Sequence, residues 1–208
     1  MISQKHKGER RPIVKMKIII MMAAVMLLPL SQVQAIDVDF YHDAVIDEGD
    51  IYDIVSVYDT PPDLTTVDTY GGSIESLRTY DSSTANIYGG EIWIDPQSYN
   101  SSTINIYGGS LICQSIIVWD SAILNIYGGD LNVGNAPYFS ESSEVNIHGY
   151  GFSYDGVRHL TGFLTDGSSF IFNELSPSRY SHINLIVMPE PTTLLLVGLG
   201  CLLIRKRR

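Results

Sequence analysis

Apolar and polar residues alternate along the middle of the chain, around a five-residue motif that recurs. The motif reads Asn-Ile-Tyr-Gly-Gly at residues 86–90, 105–109 and 125–129, with degraded copies at 68–72 and 146–150. A period near 20 residues combined with alternating apolar positions is typical of a solenoid. The aromatic positions of the five copies are 18 to 21 residues apart: Tyr70, Tyr88, Tyr107, Tyr127 and His148.

Each repeat predicts β-strands that turn at the glycine pair. In the central copy, Ile104 and Ile106 alternate with Asn105, so the two isoleucines share the inner face of a strand. The two glycines then allow a tight turn at little steric cost. A third, more variable stretch carries Ile116 and Val118. After the glycines we expect a second strand with an inward pair in each repeat: Ile92/Ile94, Leu111/Cys113, Leu131/Val133 and Phe152/Tyr154.

The pattern predicts an all-β fold, a small parallel β-helix or β-solenoid of about five coils of 18–21 residues. One coil cannot hide its apolar face, and at least about three are needed. We expect residues 36–66 to form an acidic first coil or cap and residues 67–150 to form the repeats. Residues 151–187 would form a C-terminal β cap over the open sheet edge. An antiparallel β-sandwich is the alternative, since short strands with glycine turns also suit that class.

Stacked coils would align the outward side chains in columns. The four asparagines of the motif would form an amide ladder, with the aromatic positions as a second column on the same face. One interpretation is that these ladders fix the register between coils, which a repeat fold needs in any case. The other interpretation is a carbohydrate-binding platform formed by the aromatic column: Tyr70, Tyr88, Tyr107, Tyr127 and His148.

The N-terminal segment reads as a signal for export. An apolar run at residues 18–30 follows basic residues and leads to a small-residue site that ends at Ala35. This order predicts a helical signal peptide over residues 1–35, cleaved after Ala35. Its basic region is long, and Met16 opens a more ordinary signal peptide, so Met16 is a candidate for the true start. A twin-arginine signal at residues 10–11 fits less well, because a glutamate and a proline flank the pair.

The C-terminal segment has three parts: the tripeptide Pro189-Glu190-Pro191, an apolar run at residues 192–204, and the basic cluster Arg205, Lys206, Arg207 and Arg208. Two prolines around a glutamate predict an exposed, extended hinge. The apolar run would span only ~20 Å as a helix, less than the ~30 Å of a bilayer core. The cations that follow fit the positive-inside rule and can snorkel, so we predict a transmembrane helix over residues 192–204.

These three parts together resemble the PEP-CTERM sorting signal of surface proteins from Gram-negative bacteria. The resemblance covers residues 188–208 and implies recognition and cleavage near Pro189-Glu190-Pro191 by exosortase, a membrane-embedded cysteine protease or transpeptidase. It also implies that the partners are exosortase and the secretion machinery, with transient anchoring in the inner membrane through the C-terminal helix. The mature chain would then reach the cell surface or the extracellular matrix.

Removing both signals would make the remaining chain far more acidic. Residues 36–189 contain three arginines, no lysine and 21 acidic residues, which gives a formal charge of −18 against −10 for the whole chain. Such a surface repels nucleic acid, so we expect no nucleic-acid partner. The acids between Asp37 and Asp68 could hold calcium, but they lack the register of a calcium loop, and a solvated acidic face is the simpler interpretation. Cys113 would be the single cysteine of the mature chain and is expected to be a small buried apolar residue.

The sequence contains no recognisable catalytic arrangement. It has no nucleophile elbow, no phosphate loop and no zinc-spaced histidine pair, so we predict no catalytic residues, no cofactor and no metal site. The leading hypothesis is an exported structural or interaction protein, with a retained tail and permanent anchoring as a variant. The alternative is a carbohydrate-active β-helix protein, either a glycan-binding module or a polysaccharide lyase, with exopolysaccharide as its partner. In a lyase, Arg78, Arg158 or Arg179 would be the candidate base.

Overall fold

The computed structural model describes residues 35–189. The predicted signal helix, the membrane helix over residues 192–204, the residues Glu190 and Pro191 and the basic cluster at residues 205–208 lie outside the described residues. The described chain forms these elements in order: β1 (Ile36–Phe40), β2 (Ala44–Ile46), β3 (Ile51–Val57), β4 (Thr66–Thr69), β5 (Ser73–Thr79), β6 (Thr84–Ile87), β7 (Glu91–Ile92), β8 (Gln97–Ser98), β9 (Thr103–Ile106), β10 (Ser110–Cys113), β11 (Ile117–Val118), β12 (Ile123–Ile126), β13 (Asp130–Val133), β14 (Tyr138–Phe139), β15 (Glu144–Tyr154), β16 (Leu160–Leu164), β17 (Ser169–Phe172), α1 (Pro177–Tyr180) and β18 (Ile183–Val187).

The predicted parallel β-solenoid is confirmed, and the antiparallel sandwich is wrong. Strands that precede the glycine pairs form one sheet, in the order β17-β16-β15-β12-β9-β6-β4-β2, with β18 also paired to β15. We call it the motif sheet. From β2 to β15 its strands are parallel, and the motif asparagines lie opposite one another from coil to coil. The solenoid has about six turns, one more than the sequence predicts.

The second sheet begins as one column of strands and becomes two. Its first members β1, β3 and β5 are paired in parallel, and β5 then pairs with both β7 and β8. From there the two columns run separately, as β7-β10-β13 and β8-β11-β14. We call it the split sheet. The split arises because residues 93–96, and the equivalent residues 114–116 and 134–137 of the next two coils, lie outside strands, so one long strand becomes two short ones.

Inward side chains form one continuous core between the two sheets. The inner positions of the motif strands are fully buried, as predicted for Ile104 and Ile106. Burying one such side chain contributes roughly 1.5–3 kcal/mol. The pairs Leu111/Cys113 and Leu131/Val133 are also buried, as are Ile116 and Val118 of the third stretch.

Two of the predicted inward pairs are wrong in part. Ile92 is buried, but Ile94 is 44% exposed, because β7 ends at Ile92 and the chain bulges outward there. Phe152 and Tyr154 are only partly buried against the core. At those positions β15 pairs with the antiparallel β16 and no longer follows the coil beneath it.

An antiparallel hairpin and a returning strand close the C-terminal end. β16 and β17 pair with each other. The turn between them lies on the Gly-Gly turn of an earlier coil, where the Thr165 N–H donates to the Tyr127 carbonyl (2.8 Å). We call the column formed by the Gly-Gly turns of successive coils the glycine corner. The Ala136 N–H donates to the Asn173 carbonyl (2.6 Å), so the chain after β17 covers the loop after β13. β18 then returns parallel to β15, with Asn184 opposite Asn146.

Candidate functional site

At the glycine corner, the backbone of each coil lies directly against the backbone of the preceding coil. A Cβ on Gly108 would lie 2.5 Å from the carbonyl oxygen of Tyr88 in the preceding coil, so no side chain fits there. Gly109 has a φ of +83°, which other residues adopt only with strain. The motif therefore requires its two glycines for different reasons, close backbone approach for the first and left-handed geometry for the second.

The structure brings the five predicted aromatic residues together in one column. Ring centroids are 4.9 Å apart for Tyr70–Tyr88 and Tyr88–Tyr107, 4.8 Å for Tyr107–Tyr127 and 4.1 Å for Tyr127–His148. The tyrosine rings are within 9° of parallel, so each ring covers the face of the next. Solvent therefore reaches mainly ring edges and hydroxyls. A platform that stacks sugars on ring faces has little free area within this column, and that role stays a prediction.

Burial shifts the pKa of three members of this column, Tyr88, Tyr127 and His148. It raises the pKa of the Tyr88 hydroxyl, and the nearby Asp68 carboxylate raises it further. It lowers the pKa of His148, which keeps this imidazole neutral at physiological pH. The column therefore carries no positive charge near neutrality.

Beside the aromatic column, the asparagines form a directional hydrogen-bond ladder. In every coil the side-chain Nδ2 donates to the side-chain oxygen of the preceding coil, at 2.7–2.9 Å. The ladder begins on the carboxylate of Asp68 and ends at Asn184 in β18. These partners are all internal to the chain, which supports a role in fixing the register between coils.

A second aromatic column lies at the end of the split sheet, and the sequence reasoning missed it. Its centroids are 5.3 Å apart for Tyr41–Tyr58, 4.7 Å for Tyr58–Tyr80 and 5.2 Å for Tyr80–Tyr99. The signal was available, since Tyr80 and Tyr99 each stand three residues before the second serine of a Ser-Ser turn. Trp119 occupies the same register position in the next coil, and 44% of it is exposed.

Next to this second column runs a row of outward side chains of mixed chemistry. Pairing of β5, β8, β11 and β14 places Arg78, Gln97, Ile117 and Tyr138 opposite one another in successive coils. The Tyr99 hydroxyl donates to Gln97 Oε1. Arg179 from α1 lies over the ring of Tyr138, with its Cζ 4.2 Å from the centroid. We call the surface formed by Arg78, Gln97, Ile117, Tyr138, Trp119 and Arg179 the split-sheet outer face.

The three arginines differ in their partners. Arg158 forms an ion pair with Glu174, with 3.2 Å between Nη1 and Oε1. Within residues 35–189, neither Arg78 nor Arg179 makes a salt bridge. The Nε atom of Arg78 is buried and has no hydrogen-bond partner in that part of the chain.

The other predicted positions hold no assembled site. Among the described residues, no group of three or more His, Cys, Asp or Glu side chains is arranged to hold a metal ion. Burial raises the pKa of the Cys113 thiol to about 12, so it is unreactive at neutral pH. Residues 35–189 contain no helix of the length and apolarity needed to cross a bilayer. Ala35 directly precedes β1, and Pro189 follows β18 in an exposed position.

In comparisons with known proteins, no protein-family model, no curated protein and no solved structure matches this chain.

Proposed function

We propose that this chain is an exported structural or interaction protein of the cell surface or extracellular matrix, sorted and cleaved by exosortase through its PEP-CTERM signal. One observation carries the proposal. Among residues 35–189, the first strand begins at Ile36, directly after the predicted signal cleavage at Ala35, and the last strand ends at Val187, two residues before Pro189. All strands of the described residues therefore fit between the two predicted cleavage sites.

The geometry near the second site supports access by a protease. The Met188 N–H donates to the Gly149 carbonyl (2.7 Å), which is the last backbone hydrogen bond to the solenoid among residues 35–189. Pro189 follows in an exposed position, and a proline cannot extend the ladder of β18. The tripeptide would therefore begin just beyond this hydrogen bond, as the kind of extended segment that proteases bind.

The body itself has the character of a scaffold. Its repeated columns of amides, tyrosines and glycines make contacts between neighbouring coils, which are the nearest-neighbour contacts that stabilise a repeat protein. A formal charge of −18 on residues 36–189 keeps such a body soluble and limits self-association.

Mass spectrometry of the protein exported by a host with exosortase tests the proposal. We expect a chain that starts at Ile36 and ends within Pro189-Glu190-Pro191, and a chain that keeps its tail in a host without the enzyme. Replacing the tripeptide by three alanines should also leave the tail in place. Glu174→Ala, which changes a carboxylate of the body, is the matched control and should be processed normally. A surface-exposed wild-type chain that still ends in Arg205 to Arg208 would exclude the sorting proposal.

A further inference from the structure

Two arginines without acidic partners stand out in a protein so rich in carboxylates. Residues 36–189 contain 21 acidic side chains and only three arginines. Arg158 has taken a carboxylate partner, but Arg78 and Arg179 have none within residues 35–189. Neither guanidinium group therefore has its charge neutralised by a carboxylate of residues 35–189, although the Arg78 side chain also lies beside the Tyr80 hydroxyl.

Both unpaired arginines lie on the split-sheet outer face. Arg78 and Tyr138 are three coils apart in the same outward column, which is roughly 14 Å at ~4.8 Å per strand. Arg179 lies over the ring of Tyr138. A cation–π contact does not use up the N–H donors of the guanidinium, which can still pair with a carboxylate. At the other end of the row, Arg78 is half-buried, and its buried Nε has no hydrogen-bond partner among residues 35–189.

Exposed aromatic rings lie between the two arginines. Trp119 is 44% exposed and Tyr138 is 41% exposed. Among the described aromatic pairs, the stack that starts at Tyr41 ends at Tyr99, and Trp119 in the next coil does not join it. This tryptophan is therefore free to pack against a ligand, unlike the rings of the motif sheet. Trp, Tyr and Arg are also the residues that contribute most at binding surfaces.

These observations restrict the chemistry of the ligand. A dense polyanion such as nucleic acid is repelled by the overall charge of −18. A polysaccharide with carboxylates on some of its sugars spreads its charge and presents apolar C–H faces between the charged groups. We propose that the split-sheet outer face binds such a carboxylated polysaccharide, with Arg78 and Arg179 pairing with carboxylates and Trp119 and Tyr138 packing against the sugar rings. The inference rests on the proposed function only for the extracellular setting in which such a polymer is met.

Binding of a polyuronate to the full-length protein tests this site. The probe is partly methyl-esterified polygalacturonate, in which only some of the sugars carry a charge. The matched polymer is the same chain fully methyl-esterified, which removes the charge and keeps the sugar backbone. We expect affinity for the partly esterified polymer and at least about tenfold weaker binding of the fully esterified polymer. Arg78→Gln and Arg179→Gln should each weaken binding at least about tenfold, because each removes a charge-assisted hydrogen bond. Trp119→Ala should weaken binding of both polymers.

Arg158→Gln is the control, since it removes the arginine that already has a carboxylate partner, and it should bind like the wild type. Circular dichroism checks that each variant is folded. Should Arg78→Gln unfold, Arg179→Gln and Trp119→Ala carry the test, since Trp119 is exposed and Arg179 lies in a short surface helix with no buried residue. Equal affinity for the partly and fully esterified polymers, or equal loss in Arg158→Gln and Arg179→Gln, would overturn the proposal. Failure of tail cleavage would leave these binding results unchanged, so the two proposals fail separately.

Discussion

The outer surfaces of the two sheets follow opposite rules. On the motif sheet, the same side chains recur in coil after coil, and each contacts its own kind above and below. On the split-sheet outer face, one column changes from Arg78 to Gln97, Ile117 and Tyr138 along the same axis. Repetition goes with contacts between like side chains of neighbouring coils, and the varied column has no such contacts among the described residues. On the motif sheet the tyrosines stay exposed, but their ring faces and the neighbouring amides are already in contact within the chain.

The largest loss of stability is expected from a substitution at the glycine corner of the motif sheet. Gly108→Ala would place a methyl group 2.5 Å from the Tyr88 carbonyl oxygen, and a backbone atom cannot move aside without disturbing the next coil. We expect a loss of about 3 kcal/mol in the free energy of unfolding, measured by urea denaturation.

Gly134→Ala is the matched control for that substitution. Its new methyl group would meet its nearest atom, the Gln114 carbonyl oxygen, at an ordinary contact distance of 3.4 Å. A change below about 1 kcal/mol is expected there. If both alanine variants lose the same stability, close packing at the corner is not what the motif glycines provide.

An intermediate effect is expected from breaking the amide ladder. Asn105→Ala removes the acceptor for Asn125 and the donor to Asn86, leaving two partly buried polar groups unpaired. We expect a loss of about 1–3 kcal/mol by urea denaturation. Thr103→Ala, on the same face of the same strand, is the control, because its hydroxyl has no hydrogen-bond partner among the described residues. Equal stability of the two variants would contradict a structural role for the ladder.

The smallest expected effect on stability concerns Asp166, whose carboxylate accepts a hydrogen bond from the Gly129 N–H at the glycine corner. Burial acts to raise the pKa of Asp166, but hydrogen bonds from Ser168 and from the Gly129 N–H outweigh it, so the net pKa is lowered. A lowered carboxylate pKa stabilises the fold above about pH 4, the pKa of an aspartate in an unfolded chain, and this stabilisation is lost as the pH falls further.

Asp166→Asn should therefore cost less than about 1 kcal/mol at pH 7, since the side chain is exposed and screened. The variant should also lose less stability than the wild type on acidification below pH 4, as followed by thermal unfolding. Asp130→Asn is the control, because its carboxylate accepts no hydrogen bond from the described residues. An identical acid response in wild type and Asp166→Asn would rule out this contribution.

The strands of the motif sheet could be predicted from the sequence because a single repeat of about 20 residues sets their positions. Alternation at Ile104, Asn105 and Ile106 sets which side chains face the core, and the glycine pair sets where each strand ends. Stacking in register then places like residues beside one another, so the amide ladder and the first tyrosine column follow from the repeat alone. Tertiary packing adds little at these positions.

The split sheet and the C-terminal end could not be derived in the same way. The outward bulge after Ile92 depends on how the corner packs, so Ile94 keeps the strand alternation in sequence but not in space. The hairpin of β16 and β17 separates Asn146 from its ladder partner Asn184 by 38 positions in the sequence. The short pattern Ile183-Asn184-Leu185 is the one sign that the motif sheet resumes there. Arg179 reaches Tyr138 from α1, and no spacing in the sequence links the two.

The direction of the amide ladder has a consequence for the length of the molecule. At its first rung, the carboxylate of Asp68 accepts from Asn86 but has no N–H to donate, and Val45 lies opposite it on the far side. The ladder therefore stops at that coil. Every rung between Asp68 and Asn184 both donates and accepts in the same sense. A duplicated coil inserted between Asp68 and Asn184 would have an acceptor in the coil before it and a donor in the coil after it. The array can therefore lengthen by whole coils during evolution while both of its ends stay the same.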